Sequence, residues 1–163
     1  MKVRRMYQTD WEQVSRIYEE GMATGFATFE TTAPTYEAWD KAHIESCRLV
    51  AEENGTVLGW AALSPVSGRC VYGGVGEVSV YVGAESRGKG VGKALMERLI
   101  LESEEAGFWT IQSGIFPENK SSIQLHENVG FRYIGRRERV GKLHGVWKDN
   151  LLFEKRSAKV GVS

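Results

Sequence analysis

The residue types that most directly suggest chemistry lie in residues 87–93, where glycine recurs at every second position as Gly88, Gly90 and Gly92. Glycine lets the backbone approach a ligand closely and turn its N–H groups towards it. A helix-like run follows, and the first N–H groups of a helix are unpaired and carry a partial positive charge. Basic side chains add full charges, so the stretch predicts a cradle for a pyrophosphate, built from Arg87, Gly88, Lys89, Gly90, Val91, Gly92 and Lys93.

Three known phosphate-binding patterns compete for this stretch. A Walker A loop needs Lys followed by Ser or Thr, whereas Lys93 is followed by Ala94. A dinucleotide-binding turn needs G-x-G-x-x-G and an acidic residue about 20 positions later, but the spacing here is G-x-G-x-G and residues 108–116 contain no acid. The third pattern, Arg/Gln-x-x-Gly-x-Gly/Ala, is matched by Arg87, Gly90 and Gly92. This match resembles the acetyl-CoA pyrophosphate loop of the GNAT superfamily of N-acyltransferases.

Glu77 lies on the strand-like run, residues 76–82, that leads into the cradle. Side chains alternate along a strand, which separates Glu77, Ser79 and Tyr81 from Val78, Val80 and Val82. Acyl transfer to nitrogen needs a neutral amine and therefore a base that removes the ammonium proton. We predict that Glu77 is this base, directly or through a water. The alternative is a strand-end carboxylate that faces solvent or pairs with an arginine.

A short helix-like run, about residues 120–128, presents Asn119, Ser122 and His126 on one face. Asn119 and Ser122 could bond the amides of an extended pantetheine arm, or they could simply cap the helix. A thiolate leaving group needs a proton, and His126 could supply it. The alternative for His126 is a partly buried structural histidine.

The order of strand and helix patterns is β-α-α-β-β-β-α-β-α-β-β. Asn54-Gly55 predicts a two-residue hairpin, and Thr9 to Glu12 predicts a capping box before the first helix. Together the patterns predict an α+β, GNAT-like fold: a mixed, mostly antiparallel sheet with helices on both faces. We expect residues 1–155 to form a single N-acetyltransferase domain and residues 156–163 to fray.

Composition restricts the partners and the compartment. The chain has 163 residues, and 21 basic residues balance 21 acidic ones, which argues against nucleic acid as a partner. Cys47 and Cys70 form no metal-like cluster and suit a reducing compartment, so we expect no metal. No apolar run predicts a signal peptide or a membrane span. We therefore expect a cytoplasmic protein.

Five segments resemble one GNAT branch, the phosphinothricin N-acetyltransferases. They are Phe29-Glu30, Glu77 within Glu-x-Ser-Val-Tyr-Val, residues 87–93, residues 117–131, and Leu143-His144-Gly145-x-Trp147-x-Asp149. In many GNAT enzymes a tyrosine occupies the position of His126.

The resemblance implies a role for each segment. Phe29 and Glu30 would form part of the acceptor wall, and His144 would lie at the acceptor site. Backbone groups of Val80, Tyr81 and Val82 would bind the CoA arm. The loop containing Arg69 and Tyr72 matches more weakly, and Arg69 could clamp an acceptor carboxylate or remain a solvated loop residue. A homodimer is common in this family.

The sequence therefore predicts an acetyl-CoA-dependent N-acetyltransferase that acts on a small amino acid or analogue, such as phosphinothricin, methionine sulfone or methionine sulfoximine. The amine would attack the thioester directly, and a backbone N–H near Val80 would stabilise the oxyanion. Two alternatives remain. The acceptor could be a protein N-terminus, a polyamine or an aminoglycoside, or the chain could bind CoA without turnover.

Overall fold

A seven-stranded sheet organises the protein, for which a computed structural model describes residues 1–163. The strands are β1 (Lys2–Arg5), β2 (Leu49–Glu53), β3 (Thr56–Pro65), β4 (Val75–Val82), β5 (Thr110–Ile115), β6 (Arg132–Leu143) and β7 (Val146–Arg156). Their spatial order is β1-β2-β3-β4-β5-β7-β6. Only β4 and β5 pair in parallel; all other neighbours are antiparallel, which confirms the predicted mixed sheet.

Helices cover both faces of this sheet. They are α1 (Trp11–Ala23), α2 (Tyr36–Ala42), α3 (Val91–Glu105) and α4 (Lys120–Asn128). One apolar cluster joins α1 and α2 to the sheet through Val14, Ile17, Trp39 and Trp60. A second cluster joins α3 to the other face through residues that include Leu63, Leu95 and Leu99. The predicted element order and the two-sided covering are both confirmed. No helix is long and apolar enough to cross a membrane.

The centre of the sheet is fixed by β3, which is buried on both faces. Successive side chains of a strand point to opposite sides. Trp60 and Ala62 accordingly belong to the α1 cluster, and Ala61 and Leu63 belong to the α3 cluster. A strand with both faces buried holds its register firmly, because a shift by one residue would exchange the two sets. This register aligns β4, the next strand.

The parallel pairing between β4 and β5 is short. Three pairs join them, Val75 with Thr110, Gly76 with Ile111, and Glu77 with Gln112. Both strands continue beyond these pairs, β4 to Val82 and β5 to Ile115, but they no longer pair with each other. A gap therefore opens in the middle of the sheet, directly after Glu77.

One local feature, the capping box, differs from the sequence predictions, and the C-terminal segment shows contacts that the sequence did not predict. The helix start does not use a Thr9 capping box; instead, Asp10 accepts the N–H of Tyr7 at 2.8 Å and forms two hydrogen bonds with Arg4 at 2.9 Å each. Part of the C-terminal segment, residues 156–161, is hydrogen bonded, and fraying of residues 156–163 stays a prediction. Arg156 donates to the carbonyls of Ser157, Val160 and Gly161, and the Ser157 hydroxyl donates to Glu104 at 2.6 Å. The guanidinium has five donors, enough to hold several carbonyls of the tail.

Candidate active site

A cleft of about 580 Å³ occupies the gap between β4 and β5. Its walls come from the second half of β4, the start of α3, the end of β5 and one face of α4. Most of the predicted CoA-binding residues line it, together with His126: Val80, Tyr81, Val82, Arg87, Gly88, Gly90, Val91, Gly92, Lys93, Asn119 and Ser122. Lys89 is exposed beside the cleft and does not line it, and its contact with the cofactor stays a prediction.

The glycine-rich segment turns the chain into α3 at the mouth of this cleft. Gly88 and Gly90 have φ angles of 76° and 82°, in the left-handed region that favours glycine. Gly90 is the N-cap of α3, and the first backbone bond of the helix runs from Ala94 N to Gly90 O at 3.1 Å. No side chain caps this helix, so the N–H groups of residues 91–93 are unpaired. Together with Arg87 and Lys93 they form an anion-binding site.

Gly92 has a different role from Gly88 and Gly90. Its φ is not left-handed, but a Cβ atom there would lie 3.1 Å from the Leu125 Cδ2 atom of α4. The absence of a side chain therefore lets α4 pack close to the start of α3. This packing brings the polar face of α4 to the cleft beside the anion site.

Backbone groups of β4 form the cleft wall that faces β5. Gly83 N–H donates to Leu58 O at 2.8 Å, so these two residues form a hydrogen-bonded pair of the antiparallel ladder. Hydrogen-bonded and non-hydrogen-bonded pairs alternate along such a ladder, so the next pair, Val82 with Gly59, has no mutual hydrogen bonds. By alternation, the peptide groups of Val80 and Val82 point away from β3 and into the cleft. The peptide groups of Tyr81 face Trp60 instead, contrary to our prediction, although Tyr81 still lines the cleft.

Glu77 lies at the closed end of the gap, in the last pair between β4 and β5. Its side chain is exposed, and Gln112 Nε2 donates to its Oε1 at 3.3 Å. The carboxylate does not itself line the 580 Å³ cleft. Sequence reasoning missed Gln112, because the register of a parallel pair depends on the crossover helix and carries no local signal.

Phe29, which is predicted to form part of the acceptor wall, packs against two other elements. Phe29 packs edge-on against Phe116, with ring centroids 4.7 Å apart, and a Cβ atom at Gly141 would lie 3.0 Å from the Phe29 ring. Phe29 thus joins the segment after α1 to the β6–β7 hairpin. Burial raises the pKa of Tyr18, and the negative charge of Glu30 raises it further.

The remaining predicted acceptor residues lie outside the cleft. His144 is exposed in the β6–β7 turn, where its φ is 49°. Arg69 and Tyr72 are exposed as well, and the guanidinium of Arg69 lies 5.8 Å from the centre of the Tyr72 ring. The structure therefore does not bring these three side chains to the cleft.

The polar face of α4 combines capping with cleft lining. Asn119 is the N-cap, and its Oδ1 accepts the Ser122 N–H at 3.3 Å, so the capping alternative describes Asn119 correctly. His126 is 1% exposed, and its Nδ1 lies 2.7 Å from the Ser122 carbonyl oxygen. Burial lowers the pKa of His126.

Several lining residues were not found from the sequence. They lie at the end of α1 and on β5: Gly21, Thr24, Phe26, Ala27, Ser113, Gly114 and Ile115. One signal was available, because a glycine inside a strand often marks close approach of another group. At Gly114, a Cβ atom would collide with the side chain of Asn150.

His, Cys, Asp and Glu side chains form no group of three or more that could hold a metal ion.

The parallel strands β4 and β5 separate after three pairs, and a helix start that suits an anion lies at the mouth of the gap. This combination defines the class of acyltransferases that bind CoA in such a cleft. Comparison with known families agrees: residues 5–131 match the acetyltransferase (GNAT) family. The chain belongs to that family.

Individual relatives cover nearly the whole chain. An L-amino acid N-acyltransferase of Escherichia coli, MnaT, is 30% identical over 154 residues, 91% of this chain and 90% of the relative. An L-methionine sulfoximine/L-methionine sulfone acetyltransferase of Pseudomonas paraeruginosa is 35% identical over 149 residues, 86% of this chain and 85% of the relative. The crystal structure of a phosphinothricin acetyltransferase from Sinorhizobium meliloti in complex with AcCoA has a TM-score of 0.89 and 31% identity, and covers 99% of this chain and 91% of that one.

Proposed function

We propose that this protein transfers the acetyl group of acetyl-CoA to the α-amine of a small amino acid or analogue. The observation that carries the proposal is the continuous cleft from the anion site at α3 to the point where β4 and β5 part, beside Glu77. A pyrophosphate bound at residues 87–93 would leave a pantetheine arm between the two strands, with the thioester towards Glu77. The relatives named above support acetyl-CoA as the co-substrate.

The reaction assigns a role to few residues. Glu77 accepts the proton of the bound ammonium, directly or through a water, and frees the amine lone pair for attack. A cleft-facing N–H of β4, that of Val80, stabilises the negative charge that develops on the thioester oxygen. No covalent acyl-enzyme is needed: Cys47 is buried in the core, and Cys70 is exposed outside the cleft.

The acceptor class is supported by the relatives and by the walls of the site. Methionine sulfone, methionine sulfoximine and phosphinothricin are compact amino acids, and enzymes named for them are 29% and 35% identical to this chain. Phe29 and Phe116 provide an apolar wall next to the β6–β7 hairpin. Within the proposal, Arg69 binds the acceptor carboxylate with Tyr72 beside it, Glu30 completes the wall, and His144 contacts the acceptor.

A competition assay tests the acceptor. Equal concentrations of methionine sulfone, a short peptide, spermidine and kanamycin are incubated with acetyl-CoA and the protein, and mass spectrometry measures the acetylated products. We expect acetyl-methionine sulfone to dominate. Faster acetylation of the peptide or of either polycation would refute the small-amino-acid proposal, and release of no acetyl product would favour a CoA-binding module without turnover.

The proposal includes a homodimer in the cytoplasm. Strand β6 is an edge strand with one unpaired side, and such an edge readily pairs with another chain. The β6–β7 hairpin also carries exposed apolar side chains, three on β6 and two at the start of β7: Tyr133, Ile134, Val140, Val146 and Trp147. A second copy of the chain would cover them. Both cysteines are unpaired, which suits a reducing compartment.

A further inference from the structure

Asn150 lies on β7, and its side chain reaches across to β5. The amide oxygen of Asn150 occupies the place that a Cβ atom of Gly114 would take, and its Nδ2 atom lies 3.7 Å from that place. Glycine at position 114 therefore lets the Asn150 amide rest on β5, at a residue that lines the cleft.

The amide of Asn150 is free to bind a ligand. The residue is half-buried, and neither polar atom of its side chain is among the fully buried ones. An amide carries two N–H donors and one acceptor oxygen, and Asn150 uses none of them for a hydrogen bond within the protein.

The side chain of Asn150 lies on the same face of the sheet as the side chain of Glu77. Gln112 Nε2 donates to Glu77 Oε1 at 3.3 Å, so these two side chains share a face. Gln112 and Gly114 are two residues apart on β5, and a Cβ atom at Gly114 would point to that same face. The Asn150 amide occupies this position.

The cleft opens on this face of the sheet. Tyr81 alternates with Glu77 along β4, and its ring stacks on Trp60 of the α1 cluster with centroids 5.0 Å apart. Tyr81 and the residues at the end of α1 both line the cleft. A ligand bound at this end of the cleft therefore meets the face that carries Glu77 and Asn150.

An apolar pair lies further along the same face. The Phe29 ring packs on Gly141, which pairs with Lys148 of β7. Lys148 and Asn150 are two residues apart, so Phe29 and Asn150 share a face. Phe29 also packs edge-on against Phe116, which directly follows β5.

Three kinds of group thus follow one another from the closed end of the gap. The Glu77 carboxylate comes first, the Asn150 amide over Gly114 comes second, and the pair of Phe29 and Phe116 comes third. Two residues along a strand span about 7 Å. This span leaves room for one hydrogen bond at each end and for two polar groups on a single carbon atom between them.

We propose that Asn150 donates a hydrogen bond from Nδ2 to the α-carboxylate of the acceptor and so selects α-amino acids. The proposal rests on the proposed function, which places the acceptor amine at Glu77. An α-amino acid carries its amine, carboxylate and side chain on one carbon, which matches the order of base, amide and apolar pair. A hydrogen bond to an ionised carboxylate is stronger than one between neutral groups. The carboxylate accepts several hydrogen bonds, so a contact with Arg69 is compatible with this one.

Two substitutions at Asn150 separate binding from packing. Calorimetry measures the Kd of methionine sulfone with CoA present. Asn150→Leu removes the donor, and we expect the Kd to rise about tenfold. Asn150→Asp keeps the shape but sets a negative charge against the carboxylate, so we expect a rise of about a hundredfold. A side chain that only filled space would give the reverse order, because aspartate is the closer match in shape.

Methionine separates the carboxylate from the side-chain oxygens. It has the same carboxylate as methionine sulfone but no sulfone oxygens, so Asn150→Leu should weaken its binding by the same factor. An effect confined to methionine sulfone would move the contact to the sulfone and refute the carboxylate assignment.

A matched control is Asn54→Asp in the β2–β3 hairpin, where Asp-Gly suits the turn as well as Asn-Gly. It should leave the Kd of methionine sulfone unchanged, and the Kd of CoA should be the same in all variants. Folded Asn150→Asp that binds methionine sulfone within about twofold of the native protein would overturn the proposal.

Binding is measured without turnover, which separates this proposal from the proposed function. A native protein that binds methionine sulfone but acetylates no amine would count against the proposed function alone. A native protein that binds no α-amino acid would overturn both.

Discussion

Glu77 combines two properties at a single residue, because it lies where β4 and β5 part and its carboxylate has a single hydrogen-bond donor, Gln112. The other carboxylate oxygen is free to take a proton. The Gln112 amide is not a base, so it can orient Glu77 without competing for the proton. Its position and its unbonded oxygen favour Glu77 as the base, and no carboxylate lines the cleft beside it.

Glu77→Gln keeps the shape of the side chain and removes its basicity. We expect kcat to fall about a hundredfold or more, with the Kd for acetyl-CoA unchanged, since the cradle is not touched. Steady-state kinetics and calorimetry measure the two effects. Glu97→Gln, an exposed carboxylate of α3, is the control and should be silent. Near-native turnover of the Glu77 variant would transfer the role to another group, and His144 would be the next residue to test.

At the scale of elements, the start of α3 depends on a backbone conformation. Gly90 has a φ of 82°, and a Cβ atom there would meet no other atom, so Gly90→Ala introduces backbone strain without a collision. The left-handed conformation costs about 1–2 kcal/mol for a residue with a Cβ atom. We expect the cradle to relax and the KM for acetyl-CoA to rise about tenfold.

The control for this variant is Gly55→Ala in the β2–β3 hairpin. Gly55 has a φ of 80° and equally open surroundings, so the strain is the same but lies far from the cleft. Both variants should lose similar stability in thermal denaturation, and only Gly90→Ala should weaken acetyl-CoA binding. Equal KM values would show that the glycine cradle does not bind the pyrophosphate.

The contact between β1 and the start of α1 depends on pH. Hydrogen bonds from Arg4 hold the pKa of the buried Asp10 below its usual value near 3.8. A lowered pKa gives stability that is present above the usual value and is lost as the pH falls through the lowered one. We expect Asp10→Asn to reduce the free energy of unfolding by about 1–3 kcal/mol at pH 7.

Urea denaturation at a series of pH values measures this effect. The difference between the native protein and Asp10→Asn should be constant above about pH 5 and shrink below pH 4. The control is Glu102→Gln, which removes the exposed i,i+4 ion pair with Arg98 and should lower the free energy of unfolding by only about 0.3–0.5 kcal/mol. A pH-independent deficit in Asp10→Asn would mean that the Arg4–Asp10 charge pair is not its cause.

Elements with a periodic pattern were predictable from sequence, and long-range contacts were not. Residues 76–82 alternate, and Asn54-Gly55 fits a hairpin turn, so β4 and the β2–β3 connection lie where predicted. By contrast, Thr9 to Glu12 fit a capping box, but in the structure Asp10 pairs with Arg4 of β1, and a local pattern does not reveal a partner in another element. His126 was predicted as a site residue from its spacing on α4, but the burial of its Nε2 without a hydrogen-bond partner depends on tertiary packing, which no spacing reveals.

At the scale of the whole molecule, the β6–β7 hairpin exposes the apolar surface that the proposed dimer would bury. Val146 is 56% exposed there. Val146→Asp would place a charge in a desolvated interface, so we expect a shift from dimer to monomer in sedimentation velocity. Leu101→Asp is the control, since Leu101 is 51% exposed on α3. A native protein that sediments as a monomer, or a dimer unaffected by Val146→Asp, would refute this interface.

The three-pair junction between β4 and β5 also divides the sheet mechanically. The backbone hydrogen bonds between β1–β4 and β5–β7 are limited to this short parallel ladder, although the apolar core beneath α3 spans both parts. The amide groups beside the gap should therefore exchange with deuterium earlier than those of β3. A ligand that forms hydrogen bonds with both β4 and β5 would connect the two parts of the sheet across the gap. At a hundred times its Kd, such a ligand adds about 2.7 kcal/mol to the unfolding free energy. Cellular acetyl-CoA would then set the lifetime of the folded protein as well as its rate of turnover.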